Sequence, residues 1–500
     1  MAAGTATQAS VNHGQTNSAT TVGEQLRQSP AVRAAIEAIQ NEVRAKQAAI
    51  TGVRGPASDA SAKAYAKTLE QAGESRGRAL LYPYLGSGIG NGPFVEMADG
   101  SVKMDMICGI GVQFFGHSDP DLIGAALEAA TEDIAMQGHL QSNTAAYEFA
   151  QRLVRAASKH SRLSHAFLAN SGALANENAI KICYQKHAPA SRVIAFSHCF
   201  MGRTVTMAQI GDSAGGREGI PLSTHVDYMP FYDAAAAKRM TAGDVSGQTR
   251  MIDMAVWHLR QYIERYPKQH AAFIFELIQG EGGFNTAPRE FFVELMKVCK
   301  DAGIAVWDDE VQTFGRTTEM FAFDALNVGE YIDLCTVGKM TQVCATLYTK
   351  EYNPKPGLLS ATFLGSAEAI RVGSRIIDRL SENDRYGATG LHARQFKAFE
   401  KHARALIAKH PAWFPPCDEV TDLVGGIGGM VRLTPFAGKK DPVMKLCRQC
   451  FDDGLIVFYC GHGPYHLRML PPLGVFKDEH WATAFGLLEQ SLAAVASTNK

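Results

Sequence analysis

Lys339, Asp309 and Glu276 are the side chains of this sequence whose types and positions best suit cofactor chemistry. Lys339 follows Gly338 directly after a short apolar run, Asp333 to Val337. An amine delivered by the end of a buried strand is a candidate Schiff-base nucleophile. Asp309 lies in Trp307-Asp308-Asp309-Glu310-Val311-Gln312, behind the apolar stretch that begins at Ile304. A carboxylate there is suited to pair with a protonated pyridine nitrogen and keep such a ring an electron sink. Glu276 ends another apolar run, just before Gln279-Gly280-Glu281-Gly282-Gly283. Each residue also has a plainer reading: a lysine that reaches the surface, an aspartate that caps a helix or a turn. The combination carries the argument, because a ring nitrogen needs a counter-charge and an aldehyde needs an amine. Open α/β sheets gather ligands at the C-terminal ends of their strands.

Two further segments fit that chemistry. Asn170-Ser171-Gly172-Ala173 separates an apolar strand pattern, 166–169, from a helical one, 174–183. Free N–H groups at such a helix start suit a phosphate dianion, although Ser-Gly is also an ordinary cap. Phe200, in Phe200-Met201-Gly202-Arg203-Thr204, follows a strand and could lie on a flat ring or simply fill the core.

The elements that must position these groups alternate. Helices are expected at 26–52, 60–75, 121–135, 144–157, 174–187, 288–301, 365–383, 385–407 and 479–496. Strands are expected at 165–169, 192–196, 272–278, 304–308, 333–337, 425–433 and 455–458, with a hairpin at 94–107 turning on Asp99-Gly100. This rhythm predicts an α/β fold, a mainly parallel sheet with helices on both faces. Five hundred residues exceed one modest core. The expected division is a flexible tail at 1–25, an N-terminal extension with part of a small domain at 26–115, a large domain at 116–370 and the rest of the small domain at 371–500.

With 49 basic and 50 acidic residues, no broad field draws the chain to nucleic acid or to a membrane. No run of 18 apolar residues suggests a span. The ten cysteines are scattered through apolar stretches, which favours a reducing, cytoplasmic setting. Cys447 and Cys450 form a CxxC on an expected helix, read as packing, and no metal ligand set is expected.

These motifs resemble the class III aminotransferases, pyridoxal-phosphate enzymes of fold type I, over about residues 90–480. The most specific part is Asp309-Glu310-Val311-Gln312 followed at the family's interval by Gly338-Lys339. The resemblance implies a large domain with a mainly parallel seven-stranded sheet and a smaller α+β domain from both chain ends. It implies that Lys339 holds pyridoxal 5'-phosphate as a Schiff base and that Asp309 pairs with the ring nitrogen. Val311 and Phe200 would lie on the two ring faces, and Gln312 near the phenolic oxygen. Ser171, Gly172 and Ala173 match the phosphate turn, and Thr362 the threonine lent by a neighbouring subunit. Glu276 matches an acid that supports the cofactor's surroundings, Glu281 one that gates charge near the substrate, and Arg468 the arginine that clamps an α-carboxylate. Arg203 is suited to a distal carboxylate.

The implied activity is ping-pong transfer of an amino group, from an omega-amino acid or related amine, to a 2-oxo acid such as 2-oxoglutarate. The implied assembly is a homodimer with shared active sites, a tetramer being open. Leu277 in place of a proline, Met201 in place of a histidine and a shortened Thr313–Thr318 loop depart from the family pattern and leave the donor open. Lysine 6-aminotransferases and 4-aminobutyrate aminotransferases both share motifs with the chain, and a fold-related aminomutase, racemase or decarboxylase is the alternative. His139, Gln141, Asn143 and the Cys108–Val112 loop are expected at the pocket mouth.

Overall fold

A computed structural model describes residues 21–241, 245–382 and 384–498. Residues 1–20 of the expected tail lie outside the described residues, and a helix, Val22–Gln28, begins just beyond them.

The centre is a seven-stranded sheet. Its spatial order is Leu163–Ala169, Cys344–Thr349, Leu334–Val337, Ala305–Glu310, His270–Phe275, Arg192–Phe196 and His225–Met229. Cys344–Thr349 runs antiparallel to both of its neighbours, and the other pairings are parallel. Side chains alternate between two cores, as the period of two requires. Ala305 and Trp307 pack with Ile274, Ile180 and Cys183, the last two from helix Gly172–His187. Val306 packs on the opposite face with Phe273, Phe291 and Leu295, the last two from helix Arg289–Asp301. Helices cover both faces, so the central strands are buried throughout and read as nearly continuous apolar runs.

The two chain ends are knitted together beside this sheet. Gly86–Asn91, Phe94–Met97 and Val102–Asp105 form an antiparallel meander, and Leu455–Ile456 joins it parallel to Val102–Asp105. A second small sheet holds Val424–Ile427, Met430–Leu433, His466–Met469 and Phe458–Cys460. Helix Pro30–Gln47 packs on helix Pro120–Ala129. The buried Gln47 amide donates to the Gly90 and Ser118 carbonyls at 2.7 and 2.9 Å.

Several boundaries differ from the sequence expectation. The helix expected at 26–52 breaks at Ser29, whose ψ of 129° precedes Pro30, because a residue before proline avoids the helical region. The strand expected at 425–433 is a hairpin. Gly428 turns it at φ 57°, and a Cβ there would lie 2.5 Å from the Arg316 carbonyl oxygen. The helix expected at 385–407 starts only at Leu391, after a turn containing Gly387 at φ 85°. The strand expected at 304–308 continues to Glu310, so Asp308, Asp309 and Glu310 lie within it. Strands His225–Met229 and Cys344–Thr349 were not foreseen.

Candidate active site

Above the C-terminal ends of the central strands lies a cavity of about 440 Å³. Lys339, Asp309, Glu276, Glu281, Phe200, Arg203, Gly172, Ala173, Val311 and Gln312 line it.

Lys339 enters from strand Leu334–Val337 through Gly338. A Cβ at Gly338 would lie 2.7 Å from Cys344 Sγ and 3.2 Å from Val311 Cγ1, so only glycine lets the chain pass. Lys339 itself is left-handed at φ 51°, a conformation non-glycine residues rarely take. Burial lowers the pKa of its amine, and the Arg468 charge adds to this, against the opposing fields of Glu281 and Asp309.

Asp309 projects from the neighbouring strand, level with Thr336. Its Oδ2 accepts from Asn176 Nδ2 at 2.7 Å and its Oδ1 from the Val311 N–H at 3.0 Å. Burial pushes the Asp309 carboxyl up, while these donors and the Lys339 charge oppose the shift. Glu276 is also buried. It accepts from the N–H of Phe200 at 3.0 Å and of Gly280 at 3.1 Å, which ties the Phe200 loop to the strand end. Burial, with the Asp309 charge beside it, pushes Glu276 up to about 8.

Arg468, on strand His466–Met469, has no exposed side-chain surface and forms a two-pronged pair with Glu281 at 2.8 and 3.1 Å. Burial pushes Glu281 up, but Arg468, with Lys339 and Gln312, outweighs it, and the carboxyl ends below its ordinary range. Arg203 sits with its guanidinium carbon 5.2 Å from the Phe200 ring centroid. Among the described residues it has no carboxylate partner in an ion pair.

The donor set fits a phosphorylated pyridine. Helix Gly172–His187 starts at the cavity, and Ser171 Oγ accepts from Leu174 N–H at 3.2 Å. That leaves the first-turn N–H groups of Gly172 and Ala173 without an intrahelical acceptor, a phosphate cradle. A Cβ on Gly172 would stand 2.8 Å from Val311 Cγ1, and one on Gly202 2.6 Å from the Ala173 Cβ. Gln312 Oε1 and Asn176 Oδ1 are buried with no hydrogen-bond partner among the described residues.

Not every expected residue lines this cavity. Ser171 acts as the helix cap beside it. Thr362 is exposed, its carbonyl against Gly138, and lies outside this chain's pocket. His139 packs edge-on to Phe167, Gln141 is exposed and Asn143 caps helix Thr144–Ala157, so of the expected mouth residues only Val112 lines the cavity. Asn176 was missed. Its signal was present, because four residues beyond Gly172 is one helical turn on the same face.

A family model described as aminotransferase class-III matches residues 88–492. Acetylornithine aminotransferase of Bacillus subtilis (strain 168) is 28% identical over 422 residues, covering 82% of this chain and 95% of its own. Diaminobutyrate–2-oxoglutarate transaminase of Wolinella succinogenes is 26% identical over 418 residues, covering 81% and 90%. Among solved structures, lysine aminotransferase from M. tuberculosis superposes with a TM-score of 0.72 at 22% identity, covering 85% of this chain and 99% of that one.

Proposed function

This chain belongs to the class III aminotransferases, pyridoxal-phosphate enzymes of fold type I, and from that premise we propose that it moves the terminal amine of an omega-amino acid, or a related amine, to 2-oxoglutarate or a similar 2-oxo acid. The observation that carries this reading is the Arg468–Glu281 pair, in which Glu281 lines the same cavity as Lys339 and Asp309 and the wholly buried Arg468 stands behind it. A bidentate arginine is built for a carboxylate, and here it is already occupied by one the protein supplies. A donor without a carboxylate at that end leaves the pair intact. A 2-oxo acid takes Glu281's place.

Pyridoxal phosphate, when bound, supplies an aldehyde for amine exchange and a ring that accepts the electron pair of a breaking C–H bond. In this reading Lys339 would hold the cofactor through its amine and, as a free amine, would move the proton at the substrate carbon. Burial favours its neutral, basic form. Asp309, oriented by Asn176 and the Val311 N–H, would keep the ring nitrogen protonated. The free N–H groups of Gly172 and Ala173, at the start of the helix that Ser171 caps through Leu174, would hold the phosphate. Val311 and Phe200 would enclose the ring, Gln312 would lie near its phenolic oxygen, and Glu276 fixes the Phe200 loop. Arg203 receives the distal carboxylate of the acceptor.

We infer that two chains complete each site. The segment around Thr362 carries exposed apolar side chains, Phe363 at 53% accessibility and Leu140 at 98%, the latter next to His139, whose N–H donates to the Ala361 carbonyl. Such exposure suits a second copy that receives Thr362 at its phosphate. A fully active monomer would refute this.

The test is a panel of amines and omega-amino acids with 2-oxoglutarate, measuring glutamate against donor consumed. One glutamate per donor supports transamination by this route. Donor isomerised without glutamate would replace it with a mutase or racemase.

A further inference from the structure

Behind Asp309, on the opposite face of its strand, Asp308 and Glu310 form a second acid pair that the reaction does not use. Both are fully buried. Their carboxylate oxygens and Cys335 Sγ all lie within 4.8 Å of one another. Their surroundings differ sharply. Glu310 accepts from Ala322 N–H at 2.7 Å, Phe323 N–H at 3.0 Å and the Thr313 hydroxyl at 3.2 Å. Among the described residues no donor reaches either oxygen of Asp308. Its strand neighbours are Phe275 and Cys335.

A fully buried carboxylate with no donor among the described residues, beside a second carboxylate, is costly to keep charged. A metal ion does not resolve it, because Glu310 already spends its oxygens on N–H and O–H donors. Burial also raises the Cys335 thiol far above its ordinary range, which keeps it neutral. A proton does resolve it. We propose that Asp308 stays a neutral carboxylic acid at neutral pH and donates its proton to Glu310, so that the shared proton fixes the strand end and leaves Asp309 the charged acid at the cofactor nitrogen. Asp308 is thus a positioning residue, and the part concerning Asp309 rests on the function proposed above.

The surrounding charges agree. Asp308 faces Glu310 and Asp309 on its own strand and Glu276 beyond the next strand, all acidic, and its pKa is driven far upward by burial and then by these charges. Glu310 meets Asp324 from the 322–325 turn, which itself contacts His160 at 3.3 Å. Among the described residues no cationic side chain pairs with Asp308.

The test uses holoenzyme isotope-labelled at the aspartate side-chain carboxyl carbon. At about pH 7.5, far above the ordinary aspartate value of about 3.9, infrared difference spectra should show one protonated aspartate band. Asp308→Asn should remove it, while Glu310→Gln should keep and displace it. Urea unfolding supplies a readout independent of activity. Folded wild type keeps a proton that the unfolded chain loses, so its stability falls as pH rises. Asp308→Asn lacks that proton, so the ratio of wild-type to variant unfolding constants should grow about tenfold per pH unit above about pH 5. No band in wild type, a band that survives Asp308→Asn, one unmoved by Glu310→Gln, or a flat ratio would each overturn the proposal. The wild-type spectrum decides even if Asp308→Asn fails to fold.

Discussion

Glu281→Gln is the substitution that separates donor from acceptor. Arg468 is wholly buried and Glu281 is 28% exposed at its side chain, with the two bonds at 2.8 and 3.1 Å. Removing one partner of a fully buried pair costs about 3–5 kcal/mol, and partial exposure of Glu281 reduces that to about 2–3 kcal/mol. The same energy is what an incoming carboxylate must overcome when it displaces Glu281 from Arg468. Glutamine keeps the shape but not the charge, so most of the competition disappears.

An acceptor such as 2-oxoglutarate should then gain about 1.4–2.8 kcal/mol, a fall of about 10- to 100-fold in its KM. A donor without a carboxylate at that end faces the opposite change. It now binds next to an unpaired buried guanidinium, so its half-reaction should slow by a similar factor. The assay is stopped-flow on each half-reaction separately, following the cofactor's visible absorbance after mixing with donor or with acceptor alone. Because Glu281 stays below its ordinary pKa, the contrast should persist across neutral pH. Equal changes in both half-reactions, or a raised acceptor KM, would refute the reasoning. Thermal unfolding serves as the control, since a global loss of structure would lower both rates together.

Three further outcomes follow from the geometry. Lys339→Ala should lose the visible band of the lysine-bound cofactor and all measurable turnover while the protein still folds, read by absorbance after gel filtration. Gly172→Ala places a methyl 2.8 Å from Val311 Cγ1, and overpacking of about 1–2 kcal/mol should weaken cofactor binding about 5- to 30-fold in a fluorescence titration. Glu276 carries a raised value of about 8, so between about pH 4.5 and 8 the folded protein holds a proton that the unfolded chain has lost. Stability should therefore decline across that window, by up to about 1.4 kcal/mol per pH unit from this group. Glu276→Gln should flatten the slope of urea midpoints against pH, and an unchanged slope would mean that Glu276 is ionised in the fold.

The gathering of Lys339, Asp309, Glu276 and Phe200 into one cavity was legible because each follows a short apolar run, and parallel strands end on one edge. The sheet itself was legible for the same reason, down to runs such as His270–Phe275 whose residues are buried on both faces. Strand His225–Met229 was not. It is short, alternates polar with apolar residues and lies at the sheet edge, so it lacks the continuous run. Cys344–Thr349 was hidden by its direction, since nothing in its composition says that it returns antiparallel between two strands. The Arg468–Glu281 contact came from motif resemblance alone, 187 residues apart in the chain, and no local pattern joins them. Asn176 was overlooked because an amide inside a helix has no strand end to mark it.

Five acids within reach of this one sheet edge are sorted by what surrounds them rather than by type. Glu281 has a guanidinium and stays charged. Glu310 has three donors, and Glu276 has two backbone N–H groups, but burial and then the Asp309 charge outweigh them, so Glu276 tends to keep its proton. Asp309 has two donors and faces an amine, while Asp308 has no donor among the described residues. On strand Ala305–Glu310 the alternation of faces turns three consecutive acids into one that opens on the cavity and two that do not. Moving that strand by one residue would put Asp308 and Glu310 at the cavity and bury Asp309 behind it. The sequence can afford a run of three carboxylates in its core because the pleat separates their tasks.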